Sequence, residues 1–175
     1  MQEQQRPIFF WRPFWGLILL SFLLDQITKI LALSYLGSRQ IDLLGTDFFF
    51  LRLIRNPGAA FSLGSGRAWI FSIVSVCVCA FVIYYARRVT SRLWGISLAF
   101  IVGGALGNLI DRLFRAPGWG SGHVVDFIGY GNLFIGNVAD IWICVAAASL
   151  VIFTFTGPEP YELLEDKKEE NASAR

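Results

Sequence analysis

The sequence predicts an all-α membrane protein: four transmembrane helices with a small β-rich segment on the outer face. Three observations carry this expectation. Hydrophobic residues fill 55% of the 175 positions and charged residues only 16%, with a mean hydropathy of +0.55, too apolar for a water-soluble domain. Four apolar runs are long enough to cross a hydrocarbon core of roughly 30 Å at about 1.5 Å per residue. Between the first two runs lies a stretch of a different kind, rich in aromatic and β-branched residues and broken by turn signals.

The elements follow in chain order. Residues 1–13 are polar, with Arg6 and Arg12, and Trp11, Phe14 and Trp15 are placed to form an interfacial belt. Residues 14–36 form the first span. Asp25 and Lys29 lie four apart on one face of it, acid first, the favoured order for a helix pair. Their expected role is a charge-neutralising pair for insertion and stability, deeper than the other acids. The run is too long for a signal peptide, lacks a small-residue cleavage site, and is interrupted by that pair. Residues 38–67 form the outer segment, in which GT, NPG and GSG punctuate FFFLRLI. Its Phe48, Phe49 and Phe50 are expected to meet lipid, a lipidated ligand, or the helix ends. In the same segment Asn56 precedes a proline, and Gly58, Ala59 and Ala60 allow close backbone approach. Residues 68–86 form the second span and 93–114 the third, whose Gly103, Gly104, Ala105 and Gly107 admit another helix closely. Residues 115–132 read as a glycine-rich loop holding His123 and Asp126, and residues 133–156 as the fourth span. Residues 1–157 are expected to form one domain, with a charged, disordered cytoplasmic tail over 158–175.

Orientation follows from Lys/Arg placement. The loop 87–92 carries Arg87, Arg88 and Arg92, the densest basic segment, and is assigned to the cytoplasm with both termini. Arg39, Arg52, Arg55 and Arg67 in the outer segment weaken the asymmetry. Asn108, Asp111, Asn137 and Asp140 then converge on the outer third of the membrane, with Asp140 about two turns into its helix, about 10 Å deep.

The stretch 103–140 concentrates the polar chemistry: Asp111, Asp126 and Asp140, with Asn108, Asn137 and Arg112. Carboxylates at membrane depth are costly and mark functional sites unless they are structural ion pairs or caps, a reading that fits Asp111 beside Arg112 best. Other chemistries lack their residues. The sole histidine, His123, has no nucleophile motif near it. Cys77, Cys79 and Cys144 all lie within the spans, read as small buried residues, and suggest neither a disulfide nor a zinc site. No metal-ligand motif occurs, so no metal or cofactor is expected. A net charge of +2 without a basic aromatic stripe argues against nucleic acid. A carboxylate pair remains. Two carboxyls sharing a site split their pKa values, leaving one base to take a proton from water and one acid to protonate the leaving amine. Asp126 with Asp140 is one such pair, and Asp111 with Asp140 is its rival; spacing alone does not choose.

The motifs DQITK at 25–29, RNPGAAFSL at 55–63, GGALGNLIDR at 103–112, VVDF at 124–127 and NVAD at 137–140 occur in this order. Together they make the chain resemble lipoprotein signal peptidase (signal peptidase II), a family of bacterial four-span aspartic proteases of the inner membrane. The resemblance implies Asp126 and Asp140 as the catalytic dyad. It implies that Asn56, Asn108, Arg112 and Asn137 line or brace the site and that Asp111 supports it by ion pairing. Asp25, Lys29 and Gly104 match family positions in supporting or substrate-binding roles. The implied reaction cleaves a prolipoprotein before its diacylglyceryl-modified cysteine, in a monomeric enzyme among membrane lipids, and globomycin-type inhibitors are expected to block it. The chain departs from the family pattern at Pro57, at Ile141 where a serine is frequent, and in the long segment 115–122. A small proton- or ion-coupled transporter is the competing reading, although such sites sit at the midplane between repeated halves and no repeat occurs here. A membrane scaffold is a third, and it would not require unpaired carboxylates.

Overall fold

The computed structural model describes residues 7, 9, 11–46, 48–58, 68–156, 159 and 160. The described chain runs α1 (Arg12–Tyr35), β1 (Gln40–Asp42), β2 (Phe49–Asn56), α2 (Ala68–Ala86), α3 (Arg92–Phe114), β3 (Val124–Tyr130), β4 (Phe134–Gly136) and α4 (Val138–Thr156). All four helices are long and apolar enough to cross a membrane. An apolar environment explains why these runs become helices, because every backbone N–H and C=O must be satisfied within its own segment. Proline 13 sits in the first turn of α1, where a missing N–H costs nothing.

The third helix is the centre of the bundle. Of its most apolar stretch 56% is buried, against 28%, 22% and 11% for α1, α2 and α4, and it packs against all three. Glycines open the contacts. A Cβ at Gly103 would collide with Ser21 and the Ile18 carbonyl of α1, and one at Gly107 with the Asp25 carboxylate. At Gly104 it would meet the Ala139 carbonyl and Ile143 of α4. The close approach expected from the small residues is therefore present, and it is directed at two different helices. Near the other end, Phe14, Val82, Ala86, Val89 and Leu98 form the main apolar core. The outward faces carry Leu19, Ile27, Ile30, Ile73, Phe81 and Val151, all exposed on the isolated protein as lipid-facing side chains must be.

The β-rich part is larger than the outer segment alone. The four strands form one antiparallel sheet in the order β1-β2-β3-β4. Residues 115–132, read from sequence as a loop, contain β3, and residues 134–136, read as the start of the fourth span, are β4. The run VVDFIGY is a β-branched and aromatic strand pattern hidden between glycine-rich flanks, and it needs β2 and β4 as partners. Phe50 differs from its neighbours. It is 5% exposed and packs over Gly129, where a Cβ would strike its ring, so only Phe48 and Phe49 remain exposed. Residues 59–67 and the tail from 161 lie outside the described residues.

Candidate active site

Strand alternation aims Asp126. On β3, Val125 and Phe127 pack against Ala32 of α1 and Leu36 at its C-cap. Val124 and Asp126 therefore point to the other face, where they line a cavity of about 470 Å³. A register irregularity between Leu51 and Ile54 of β2 sets Ile54 opposite Asp126 and leaves Asn56 at the strand end. The amide of Asn56 donates to Asp126 Oδ2 at 2.8 Å, while its own oxygen accepts the Gly58 N–H at 2.9 Å. Pro57 thus occupies the middle of a tight Asx turn, a place that requires no N–H from it.

Asp140 is placed by helix capping. It lies in the first turn of α4 rather than two turns in, because the helix begins at Val138. Asn137 and Asp140 form a reciprocal capping box: the Asp140 N–H donates to Asn137 Oδ1 at 3.1 Å, and the Asn137 N–H to Asp140 Oδ2 at 3.0 Å. The same Asn137 donates its side-chain N–H to Asp126 Oδ1 at 2.5 Å and to Asn108 Oδ1 at 3.2 Å. One asparagine therefore touches both carboxylates. Asn108 Nδ2 completes the set with a bond to Asp140 Oδ1 at 3.0 Å. Ile141 is exposed and the Asp140 oxygens are met by Asn108 and Asn137, so the missing serine leaves them partnered.

The electrostatics separate the two acids. Asp126 is 2% exposed, and burial first, then the neighbouring Asp140 charge, push its pKa up to about 7. The amides of Asn56 and Asn137 oppose that rise without cancelling it. Asp140 sits at a helix N-terminus, where the dipole favours negative charge.

Asp25 and Lys29 do not form a separate deeper layer. Lys29 Nζ contacts Asp25 at 2.8 Å, Asp111 at 3.0 Å and Asn108 Oδ1 at 2.9 Å, and both charged residues are fully buried. Asp25 also accepts the Ala139 N–H at 2.9 Å, one residue from Asp140. Asp111 does not hold Arg112, which its place in sequence suggested. Adjacent helix positions diverge, and Asp111 instead pairs with Lys29 and Arg115 and accepts the Val125 N–H. Arg112 turns to the cavity, donates to the Gly58 carbonyl at 2.6 Å and lies 5.1 Å over the Phe71 ring. Its Nη1 is buried without a hydrogen-bond partner among the described residues. Gly104 is a helix-packing position and does not line the cavity. Of the cysteines only Cys79 is buried; Cys77 and Cys144 are exposed, and Cys144 borders the cavity.

Several participants escaped the sequence reading. Gln26 donates to Asp25 and to the Gly107 carbonyl, and an amide beside Asp25 in an apolar run was the available signal. Phe71, Val74 and Ser75 of α2 form a wall of the cavity. A uniformly apolar helix gives no sign of which face does this. His123 is not among the residues lining the cavity, and no cluster of metal-binding side chains occurs among the described residues.

This arrangement has counterparts. A family model for signal peptidase (SPase) II matches residues 17–156. A lipoprotein signal peptidase of Leifsonia xyli subsp. xyli is 48% identical over 138 residues, covering 78% of this chain and 63% of its own length. That of Rhodococcus jostii is 47% identical over 137 residues, covering 78% of this chain and 69% of its own. A third, from Bifidobacterium longum subsp. infantis, is 40% identical over 152 residues, covering 85% and 82%. This chain thus spans less than two thirds of the length of the first of these relatives and more of the others. Two solved bacterial membrane enzymes, determined by the in meso method, share the fold with TM-scores of 0.74 and 0.73 at 23% and 22% identity. They align over 88% and 85% of this chain and 96% of each of theirs. With the family match running from α1 to the end of α4, across every residue of the Asp126–Asp140 site, the chain belongs to the signal peptidase II family.

Proposed function

We propose that this protein is a membrane aspartic endopeptidase that removes signal peptides from diacylglyceryl-modified prolipoproteins, cutting before the lipidated cysteine. The observation that carries the reading is the Asn137 bridge, which holds the buried Asp126 and the half-buried Asp140 against one cavity. Its chemistry is acid–base. Asp140, favoured as the anion, takes a proton from water as the water attacks the scissile carbonyl. Asp126, its pKa pushed up to about 7, gives its proton to the carbonyl oxygen; when the gem-diol collapses, Asp126 takes a proton back and Asp140 passes the one it took from water to the leaving amine. The idle Nη1 of Arg112 is a donor for a substrate carbonyl at the cavity wall. Phe71 and Val74 of α2 and Ile143 of α4 line the cavity, apolar surface along which acyl chains stay in the bilayer while the peptide enters. With loop 87–92 in the cytoplasm, both termini are cytoplasmic and the site opens toward the outer face of the inner membrane.

The test uses purified protein with a lipidated precursor and its unlipidated twin. Cleavage should be confined to the lipidated form, at the bond preceding the modified cysteine. Asp126→Asn and Asp140→Asn should each lower turnover by about a thousandfold or more, and the double variant should be little worse than either, as for residues acting as a unit. Equal cleavage of the unlipidated peptide would remove the lipid from the proposal. Activity persisting in both single variants would remove the dyad.

A further inference from the structure

Lys29 is a buried cation in the first span, about five helical turns after the start of α1 and about two before its end, and is assigned above no part in proton transfer. Its three partners differ in kind. Asp25 and Asp111 neutralise it, whereas the third, Asn108 Oδ1, is neutral and belongs to the side chain whose Nδ2 donates to Asp140. The chain Lys29–Asn108–Asp140 therefore runs from a fixed positive charge to one member of the dyad.

An amide has two ends that a rotation exchanges. Were Asn108 to turn over, its NH2 group would face the Lys29 ammonium and the Asn137 NH2, donor against donors, and its oxygen would face the Asp140 carboxylate. Both contacts would be repulsive. The ammonium has no acceptor capacity, so it enforces one orientation only. We infer that Lys29 is a positioning residue for the proposed reaction, acting through Asn108 to keep an N–H directed at Asp140 Oδ1. A bond assisted by a full charge polarises the amide as well, strengthening the N–H that Asp140 receives. Asp25 contributes to the same end from the backbone side, since it holds the N–H of Ala139 beside Asp140. The inference rests on the dyad proposed above.

The test is a double-mutant cycle on kcat and KM with the lipidated precursor. Removing Lys29 alone strands Asp25, so the variants carry Asp25→Asn throughout; an asparagine there still offers an oxygen to Ala139, and Asp111 retains Arg115. In that background Lys29→Met should lower kcat roughly tenfold to a hundredfold, the range seen when an outer-shell partner that orients a reacting ligand is lost. KM should change little. Asn108→Ala should lower kcat at least as far, and adding Lys29→Met to Asn108→Ala should lower it no further, because the relay is already cut. Should Lys29→Met fail to fold even with Asp25→Asn, Lys29→Gln keeps a neutral donor to Asn108 and should retain more kcat than a Lys29→Ala variant of equal melting temperature. Losses that multiply in the Asn108→Ala background, a fall in melting temperature with kcat intact, or equal kcat in the glutamine and alanine variants would each overturn the inference. If Asp126→Asn and Asp140→Asn are inactive while the cycle is multiplicative, only the Lys29 role fails. If those two remain active, the dyad fails first.

Discussion

Asn137 does three things with one side chain, and each follows from where it sits. As the residue before α4 it caps the helix through its oxygen, and its nitrogen is then left pointing at Asp126 and Asn108. Loss of a cap costs about 1 kcal/mol. Asn137→Ala is therefore expected to lower the melting temperature by a few degrees and, by freeing the Asp126 carboxylate from its side-chain donor, to lower kcat by about a hundredfold. A variant that melts early but turns over normally would mean the bridge is architectural. The raised pKa of Asp126 has a signed consequence. In the proposed mechanism Asp126 holds the proton in the active form, so the site is expected to be competent below about 7 and to lose the acid as pH rises through that value. The ratio kcat/KM for the lipidated precursor, followed from pH 5 to 9, should fall on the alkaline side with a midpoint near 7; a profile level to pH 9 contradicts the assignment. Asp111 behaves differently. It closes a buried charge cluster, and removing one partner of such a pair typically costs about 3–5 kcal/mol. Asp111→Asn should lose stability while its folded fraction still cleaves. A folded, inactive Asp111→Asn beside an active Asp126→Asn would transfer the dyad to Asp111 and Asp140.

Among the elements, α3 matters most because it supplies the notches into which α1 and α4 settle. Gly104 is the informative position. A Cβ there would lie 2.7 Å from the Ala139 carbonyl and 2.9 Å from Ile143 Cγ1, so α4 must move, and Asp140 is the next residue after Ala139. Gly104→Val should lower both melting temperature and kcat, by about 1–3 kcal/mol of stability if the contact behaves like other overpacked cores. Unaltered activity in a stably folded Gly104→Val would show that α4 can shift without moving its carboxylate. Strand β3 supplies the opposing acid by alternation, with Val125 and Phe127 on α1 and Val124 and Asp126 on the cavity. The long connection before it is tied down: Gly122 N–H bonds the Arg112 carbonyl at 2.8 Å, and Ser72 of α2 donates to Gly120 O. The extra length of 115–122 is folded back onto the end of α3 and leaves the start of β3 fixed.

At the scale of the molecule, Lys/Arg placement predicts that the loop 87–92 faces the cytoplasm. The loop with Arg87, Arg88 and Arg92 joins α2 to α3 at the end opposite to the sheet. Trp119, 97% exposed, lies in the connection from α3 to β3. Single cysteines at Arg88 and at Trp119, in a protein without native cysteines, should react with impermeant reagents from opposite sides. Labelling from the same side would reject the four-span topology.

The spans were legible because the solvent selects them locally. A run of apolar residues in lipid has no way to satisfy its backbone except as a helix, and 68–86 appears as Ala68–Ala86 without adjustment. Asp126 and Asp140 stood out as candidates through their motifs and the rarity of acids in such a chain, and the structure brings both to one cavity. Which groups meet was not legible. Lys29 and Asn108 stand 79 positions apart, and Asn56 and Asp126 70 apart. Their contacts depend on which face each helix turns inward, and glycine notches and one strand bulge set that. Strand β3 was missed for the same reason: a strand is defined by partners, and those of Val124–Tyr130 come from distant β2 as well as neighbouring β4. Local solvent chemistry writes the helices into the sequence, whereas the pairing of charges across them exists only once the helices have packed.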